Sequence, residues 1–551
     1  MISKLNHIRN SLNYFHKEIG MRWFYLISIV LVAFVLRIFN IEKLPLGVWQ
    51  DEASFGYNAY CISETGRAAN GDFLPFFFDA WGSTEYSNGA FYYLLVPLIK
   101  IFGSTIFTLR LATCVIGTLT VFFTYKLVAL YFQRQIALLA AFLLAISPWH
   151  IQFSRIAMDE ITLPLFFVLS FYLFSLGLKR ANKYIVFSSV PIAVSFYCYA
   201  VVKLFVPLFY FFFLLLTFRK ILEKKERIVT CIFIVLLLLI PMLTFPKDKL
   251  QMRFNLLSIT NSYYSLEPKR KELEKTNLSF LTKNNFLLTS TIFVQNYFKH
   301  ISADFLLKRG SSNMREHVGG RGQLLWFTFW MGLVGFFYLL FKRQKELYIF
   351  LIWFLLFSVP ASLTWEGIPH AGRCICGLPV FEILASVGFF SLLRFTRKLF
   401  STSYKLTAIL TCLILLLIIF NGAKDFSNYL RDYFTNYQSR SAPWYNYDIY
   451  AISKATEHLK NYDLFIIPLG FDYNIFYTTL LFLQKVDPKK WLNKDFKFKY
   501  VKNIPIEYKD CNMKIAMIVY PGLYPHEETI KFVQHELTNK VMYEIKRVPC
   551  I

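Results

Sequence analysis

Long apolar runs alternate with short polar connections over most of this chain. Runs such as 24–39, 231–245 and 408–420 are near the length at which a helix crosses about 30 Å of hydrocarbon. The first run follows a polar N-terminal stretch and lacks a small-residue cleavage site after it. We therefore interpret it as a retained transmembrane helix rather than a removed signal peptide.

The pattern predicts about eleven transmembrane helices and hence a polytopic α-helical membrane protein. The predicted spans lie near residues 22–40, 107–131, 135–149, 161–178, 184–201, 204–218, 228–245, 324–341, 347–364, 375–393 and 405–421. The composition agrees with this interpretation, because 56% of the residues are hydrophobic and 19% are aromatic.

The charge distribution predicts the orientation of these spans. The net charge is +25, but the basic residues cluster in short loops at 179–183, 219–227, 342–346 and 394–398. Such clusters mark cytoplasmic loops and argue against a nucleic-acid partner. The N-terminus is then cytoplasmic, and the C-terminus lies outside a plasma membrane that the chain crosses repeatedly.

Three outer segments remain after this assignment. The first outer loop, 41–106, contains an apolar run at 90–103 that is too short to span comfortably and predicts an interfacial helix. The large outer loop, 246–323, is polar, and its glycines Gly319, Gly320 and Gly322 suggest either a segment that closes over something or a plain connector.

The third outer segment is the tail, 422–551, which resembles a small extracytoplasmic α/β domain after a membrane domain, 1–421. Strands are predicted at 463–469, 514–520 and 541–546, with a helix at 526–537. The nine cysteines show no metal-ligand spacing, and Cys511 and Cys550 are a candidate disulfide pair in this tail.

Ionisable side chains gather at the outer ends of the predicted spans. These residues are Asp51, Glu52, Arg155, Asp159, Glu160, Lys203, His370 and Arg373. They offer acid, base and cation at one membrane face, on separate loops that a helix bundle brings together.

Each of these residues also has a purely structural interpretation. Asp51 suits a helix N-cap, and Arg155 and Asp159 have the spacing of an ion pair on a helix surface. Lys203 has the position of a snorkelling lysine at a helix end. His370 is more often a structural hydrogen-bonding residue than a ligand, and Arg373 can serve only to anchor the following span.

The order of the motifs is more specific than any single residue. "LPLGVWQDEASFGYNAY" (44–60) is followed by an apolar run, by "IFGSTIFTLRLATCVIG" (101–117) and by "LLAISPWHIQFSRIAMDE" (143–160). With the later "PASLTWEGIPHAGR" (360–373), this arrangement resembles the GT-C membrane glycosyltransferases, of the type containing protein O-mannosyltransferases and lipid A aminoarabinose transferases. The large outer loop is too short for the β-trefoil of the O-mannosyltransferases, which weakens the case for a protein acceptor.

The resemblance implies transfer of a sugar from a polyprenyl phosphate to an acceptor on the outer face, with inversion. It implies a catalytic role for Asp51 as general base and for Asp159, with Glu52 as a supporting carboxylate. Arg155, Lys203 and Arg373 are then candidate cations for the lipid phosphate, and Glu160 and His370 candidate substrate contacts.

Some features stay open at this stage. The sequence establishes no cofactor, and a divalent cation held by Asp51 and Asp159 is an option. The sugar, and the nature of the acceptor as protein, lipid or glycan, are not encoded in any recognisable motif. The main alternative is a transporter or flippase of lipid-linked sugars, although a transporter should keep its ionisable residues near the bilayer midplane. A membrane-anchored binding protein is a weaker alternative, because the tail carries no site motif.

Overall fold

The computed structural model describes residues 21, 23–79, 86–342, 344–400, 405–457, 459, 461–467, 473–492, 498–500 and 514–548. Every predicted span coincides with a helix or with two helices in succession. These helices are Trp23–Ile38, Ile106–Val128, Arg134–Ala145, Thr162–Lys179, Lys183–Phe187 with Ser189–Ser195, Val202–Leu216, Lys225–Leu238 with Ile240–Thr244, Trp326–Phe341, Tyr348–Leu356 with Val359–Ser362, Val380–Phe400 and Lys405–Thr435.

Five helical segments of the described chain are long and apolar enough to cross a membrane. They are Ile106–Val128, Asp159–Lys179, Lys345–Ser362, Ile375–Phe400 and Lys405–Thr435. The fold is therefore that of a multi-pass membrane protein, whereas the full number of eleven crossings stays a prediction. The short helices Pro148–Phe153 and Phe218–Leu222 lie in connections between the longer ones.

The first outer loop contains two helices and a hairpin. The helix Gln50–Thr65, called the first-loop helix below, precedes the antiparallel strands β1 (Phe77–Asp79) and β2 (Tyr86–Asn88). The predicted helix at 90–103 forms as Ala90–Phe102. Its position at the membrane interface stays a prediction.

The large outer loop is mostly helical. It contains the helices Lys247–Leu257, Glu267–Glu274 and Asn285–Ile301, and then an irregular segment, 309–323, called the closing loop below. Gly319 and Gly320 in this loop have φ values of 85° and 66°, which side chains with a Cβ rarely adopt. The backbone therefore turns sharply at these two glycines, whereas closure of this segment over a substrate stays a prediction.

The tail contains the predicted sheet, with one element of the wrong type. The strands β3 (Leu464–Ile467), β4 (Phe498–Tyr500), β5 (Ile515–Val519), β6 (Thr529–Gln534) and β7 (Val541–Arg547) pair in the order β4-β3-β5-β7-β6. β4 and β5 run parallel to β3, whereas β7 runs antiparallel to β5 and β6.

The helix predicted at 526–537 is wrong, because β6 occupies this segment and pairs with β7 across the turn at 535–540. Pairing with a neighbouring strand outweighs the helical spacing of its apolar residues. Cys511 and Cys550, the candidate disulfide pair, lie outside the described residues.

Helices connect the membrane part to this sheet. The helix Lys405–Thr435 continues beyond residue 421, where the sequence predicted the membrane domain to end. The helices Tyr437–Ser441, Tyr447–Glu457, Tyr473–Leu483 and Pro488–Leu492 follow. The division into two domains stays a prediction.

The tail packs directly against the first-loop helix. A Cβ added to Gly56 would lie 2.5 Å from Cε2 of Phe482 and 2.8 Å from Cδ1 of Leu109, so both side chains would have to shift for any larger residue. The indole N–H of Trp491 also donates to the carbonyl oxygen of Ala69 at 2.9 Å. The helix that carries Asp51 is therefore held between the membrane helices and the tail.

Candidate functional site

A buried ion pair fixes the start of the first-loop helix. Glu52 is 1% exposed, and its carboxylate accepts hydrogen bonds from Nε (3.0 Å) and Nη2 (3.2 Å) of Arg110. It also accepts from the backbone N–H groups of Trp49 (3.0 Å) and Ala157 (2.8 Å). Glu52 thus joins the first outer loop to the segment that carries Asp159, which agrees with the predicted role of a supporting carboxylate.

Asp51 projects from the same turn and is only half-buried. Trp49, not Asp51, is the N-cap, so the interpretation of Asp51 as an N-cap is wrong. The indole N–H of Trp49 donates to Oδ2 of Asp51 at 3.1 Å. One oxygen of this carboxylate is therefore oriented by the protein.

Asp159 and Glu160 lie beside Asp51. They form the 3₁₀ turn Asp159–Ile161, and their two carboxyl groups act electrostatically on each other. The charge of Asp51 acts on both groups. Oε2 of Glu160 has no hydrogen-bond partner among the described residues. The structure thus brings the three predicted carboxyl groups into one cluster.

Arg155 does not point into this cluster. Its side chain is fully buried, and four of its five N–H groups donate to the carbonyl oxygens of Leu36, Arg37 and Leu44 and to the hydroxyl of Tyr433. A contact between Arg155 and a lipid phosphate would require these bonds to break. Arg155 therefore has a structural role in place of the predicted phosphate contact. The predicted ion pair between Arg155 and Asp159 is not formed.

Arg373 lies next to the carboxyl cluster. A Cβ at the adjacent Gly372 would be 3.2 Å from Oε1 of Glu160. Nη1 of Arg373 donates to Oγ1 of Thr364 (2.9 Å), and Nη2 lies 3.2 Å from Oε2 of Glu366. The guanidinium is therefore held by Thr364 and Glu366, and the residue that precedes it in the chain lies against Glu160.

Lys203 is separate from these groups. Its ammonium makes no hydrogen bond or ion pair with the described residues. The ammonium nitrogen lies 5.9 Å from the centroid of the Phe77 ring. A different cation, Arg253 of the helix Lys247–Leu257, acts electrostatically on Asp159 and His370. Arg253 could not be predicted as a site residue from the sequence, because it lies on a polar helix that resembles an ordinary exposed surface.

His370 joins the closing loop to the segment that carries Arg373. Its Nδ1 lies 3.0 Å from Oε1 of Glu316, and its backbone N–H donates to Nε2 of His300 at 3.1 Å. Burial and the positive charges of Arg373, Arg315 and Arg253 lower the pKa of His370 well below its ordinary value. The imidazole is therefore neutral at pH 7, and its contacts agree with the structural interpretation made from the sequence.

Glu316 is the second residue that the sequence did not reveal. Its buried Oε2 accepts hydrogen bonds from the hydroxyl of Ser311 (2.8 Å) and from the backbone N–H groups of Ala371 (2.7 Å) and Gly372 (3.3 Å). Burial raises the pKa of Glu316, and these hydrogen bonds oppose that effect. Glu316 holds the closing loop against the segment that carries Arg373.

Comparison with known proteins gives one family match. Residues 90–245 match the family described as dolichyl-phosphate-mannose-protein mannosyltransferase, which is less than half of the chain. No curated protein matches the chain.

Solved structures match over most of the chain. The archaeal oligosaccharyltransferase AglB from Archaeoglobus fulgidus, in complex with an inhibitory peptide and a dolichol-phosphate, is 14% identical with a TM-score of 0.52. The match covers 84% of this chain and 63% of AglB, so the chain spans less than two thirds of that protein. ArnT from Cupriavidus metallidurans, bound to undecaprenyl phosphate, is 11% identical with a TM-score of 0.54, and the match covers 96% of this chain and 98% of ArnT.

A divalent cation was an option for Asp51 and Asp159. One structure of the Archaeoglobus fulgidus oligosaccharyltransferase is a complex with zinc and sulfate; it is 14% identical with a TM-score of 0.52, and the match covers 90% of this chain and 67% of that protein. In the described part of the present chain, no three His, Cys, Asp or Glu side chains come together as metal ligands. The residues at this site therefore do not fit a three-ligand metal centre.

Identities of this size establish a shared fold, and the activity has to be argued from the site. The fold match extends over the membrane helices and the tail, and the family match covers the helices between the first outer loop and residue 245. These findings confirm the predicted resemblance: the chain has the fold of the GT-C membrane glycosyltransferases and is similar to those of the O-mannosyltransferase and ArnT type.

Proposed function

We propose that this protein is an integral membrane glycosyltransferase that uses a sugar linked to a polyprenyl phosphate. It transfers the sugar to an acceptor on the extracytoplasmic face with inversion, and Asp51 is the general base. The observation that carries this proposal is the half-buried Asp51 carboxylate, which is oriented by Trp49 and acts electrostatically on Asp159 and Glu160. The relatives with bound dolichol-phosphate and undecaprenyl phosphate support the same donor class.

The chemistry assigns a separate task to each group. As the acceptor oxygen attacks the anomeric carbon, its proton moves to Asp51, and the bond from that carbon to the phosphate oxygen breaks. Oδ2 of Asp51 is engaged by the indole of Trp49, so Oδ1 is the atom that takes the proton. The lipid phosphate leaves with its bonding electrons.

The leaving phosphate needs fixed positive charge. We assign Arg373 and Arg253 to it; both charges act on His370, as that of Arg315 does. Glu160 has a free carboxyl oxygen that suits a sugar hydroxyl. Lys203 stays a candidate phosphate contact, although its ammonium lies 5.9 Å from the centroid of the Phe77 ring and makes no hydrogen bond with the described residues.

The transporter alternative makes a different prediction in detergent. A flippase needs two compartments, whereas a transferase releases sugar from the lipid without them. The purified chain is incubated with radiolabelled polyprenyl-phosphate hexoses and membranes of the source cell as acceptor, and label leaving the lipid is measured. Retention of all label on the lipid would contradict the proposed function.

The assignment of the base is tested with Asp51→Asn. The amide keeps the shape but cannot accept the proton, so we expect transfer to fall by about 100-fold or more while the donor still binds. Asp72→Asn is the matched control, because Asp72 is an exposed carboxylate of the same outer loop. Full activity of Asp51→Asn would refute this role.

The proposed topology places the N-terminus in the cytoplasm and the tail outside the plasma membrane. It rests on the basic loops at the inner ends of the spans. Cysteine labelling from outside the cell should reach an exposed position in the tail and no position at 219–227. The opposite labelling pattern would mean that the predicted membrane topology is inverted, with the carboxyl cluster on the cytoplasmic side.

A further inference from the structure

Arg315 of the closing loop stacks on the residue that orients the proposed base. The guanidinium carbon of Arg315 lies 3.6 Å from the centroid of the Trp49 ring. The same indole donates its N–H to Asp51. The Trp49 indole thus contacts both the carboxylate of Asp51, through its N–H, and the guanidinium of Arg315, through the face of its ring.

The position of Arg315 is fixed by several hydrogen bonds. Its Nε and its backbone N–H both donate to Oδ1 of Asn313, at 3.1 and 3.0 Å. Its carbonyl oxygen accepts from Nε2 of Gln152 at 2.8 Å. Most of the conformational entropy of this long side chain is therefore lost before any ligand arrives.

The two Nη groups of Arg315 are unused. They donate no hydrogen bond to the described residues, and no described carboxylate lies within ion-pair distance of them. Two parallel N–H donors in a fixed plane match the two oxygens of a carboxylate or phosphate. The charge of Arg315 acts on Glu316 and His370, so the guanidinium faces the same region as the rest of the site.

The position beside Asp51 decides which substrate this cation meets. In an inverting displacement the attacking oxygen and the leaving group lie on opposite sides of the anomeric carbon. The base must contact the attacking oxygen, so the Trp49 ring and Arg315 belong to the acceptor side. Arg373 and Arg253 belong to the side of the lipid phosphate.

From this geometry we infer that Arg315 binds an oxyanion of the acceptor, a carboxylate or a phosphate close to the hydroxyl that receives the sugar. The inference rests on the proposed function and specifies its acceptor class as acidic. It makes Arg315 a specificity-determining residue, since a neutral acceptor would leave its Nη groups without a partner.

The test uses two matched pairs of small acceptors. Methyl β-glucuronide is compared with methyl β-glucoside, and glycerol 1-phosphate with glycerol, each as acceptor from a radiolabelled polyprenyl-phosphate hexose. For the wild-type chain in detergent, we expect kcat/KM to be about 10- to 100-fold higher for the acidic member of at least one pair. Arg315→Gln should bring that ratio close to one.

The matched control is Arg309→Gln. Arg309 also lies in the closing loop, but its side chain is 83% exposed and pairs with Asp304 at 3.2 Å. We expect the control to keep the wild-type ratio between acidic and neutral acceptors. An equal loss of ratio in both variants would mean that the loop, and not Arg315, carries the preference, and would overturn the inference.

Other outcomes are equally decisive. If wild type shows no preference for acidic acceptors, the assignment of Arg315 to the acceptor is wrong. The same holds if Arg315→Gln raises the KM for the lipid donor and leaves the ratio of kcat/KM between acidic and neutral acceptors unchanged. If no compound is glycosylated, the same four compounds compete with transfer to membrane acceptors, and equal inhibition by acidic and neutral members overturns it. If no label leaves the lipid under any condition, the proposed function itself fails.

Discussion

The pair of Glu52 and Arg110 offers the sharpest test of how the site is held together. Four N–H groups converge on the Glu52 carboxylate, two from Arg110 and one each from the backbones of Trp49 and Ala157. Both side chains are almost completely buried. Arg110 also donates to the carbonyl oxygens of Ile41, Pro45 and Gly47.

Glu52→Gln removes the charge and turns an N–H donor toward these donors. A buried guanidinium then lacks its counter-charge, for which breaking a buried pair typically costs about 3–5 kcal/mol. Glu52→Gln and Arg110→Met should each lower the stability by amounts of this order. The double variant should lose clearly less than the sum of the two single losses, because neither charge then remains unpaired.

The assay is thermal unfolding of the purified chain in detergent, with donor binding measured in parallel. Glu528→Gln is the control, since Glu528 and Arg547 are 63% and 59% exposed; solvent screens their ion pair, so its loss should leave the Tm close to that of wild type. Additive losses in the double variant, or a Glu52→Gln variant as stable as wild type, would refute this account of the ion pair.

Two further predictions concern the surroundings of the site. Burial lowers the pKa of His300 from 6.5 to about 4, so in this pH range the folded chain binds fewer protons than the unfolded chain. The free energy of unfolding therefore falls as the pH drops from about 6.5 toward 4, and at pH 5 the loss is about 2 kcal/mol. In His300→Gln the drop in Tm between pH 7 and pH 5 should be smaller than in wild type, and an equal drop would argue against a neutral buried His300. Arg373→Ala should raise the KM for the polyprenyl-phosphate donor about tenfold or more. The increase should exceed that of Lys203→Met, because of these two cations Arg373 lies nearer the carboxyl cluster. The kinetics of label release measure both KM values, and a larger increase for Lys203→Met would mean that the phosphate binds near Phe77.

The helical part of the fold could be predicted from the sequence because hydropathy directly reflects the environment of each helix. The eleven apolar runs all form helices, since a chain in hydrocarbon must satisfy its backbone hydrogen bonds within each segment. The tail was harder, because β6 contains apolar residues at spacings that fit a helix as well as a strand. Its type is decided by β7, which lies beyond a turn and contributes the pairing partner.

The site could be predicted only where charge and position coincide. Asp51, Asp159 and Glu160 follow or precede apolar runs at one membrane face, and the structure brings them together. Arg155 fulfils the same criterion, but its guanidinium donates to backbone carbonyl oxygens at the end of the first helix and just after it, which no local pattern reveals. Glu316 was missed because its partners, Ala371 and Gly372, lie more than fifty residues further along the chain.

The contact between Gly56 and Phe482 has a consequence for exchanging parts between related enzymes. The helix bearing the proposed base rests against the tail, and the aromatic ring of Phe482 leaves room for no atom beyond the glycine backbone at position 56 unless that ring moves. A chimera that imports a foreign tail must therefore supply a ring of matching size and place, or the space left by a smaller side chain has to be filled by a larger residue at position 56. The tail and the helix that carries Asp51 should be exchanged together.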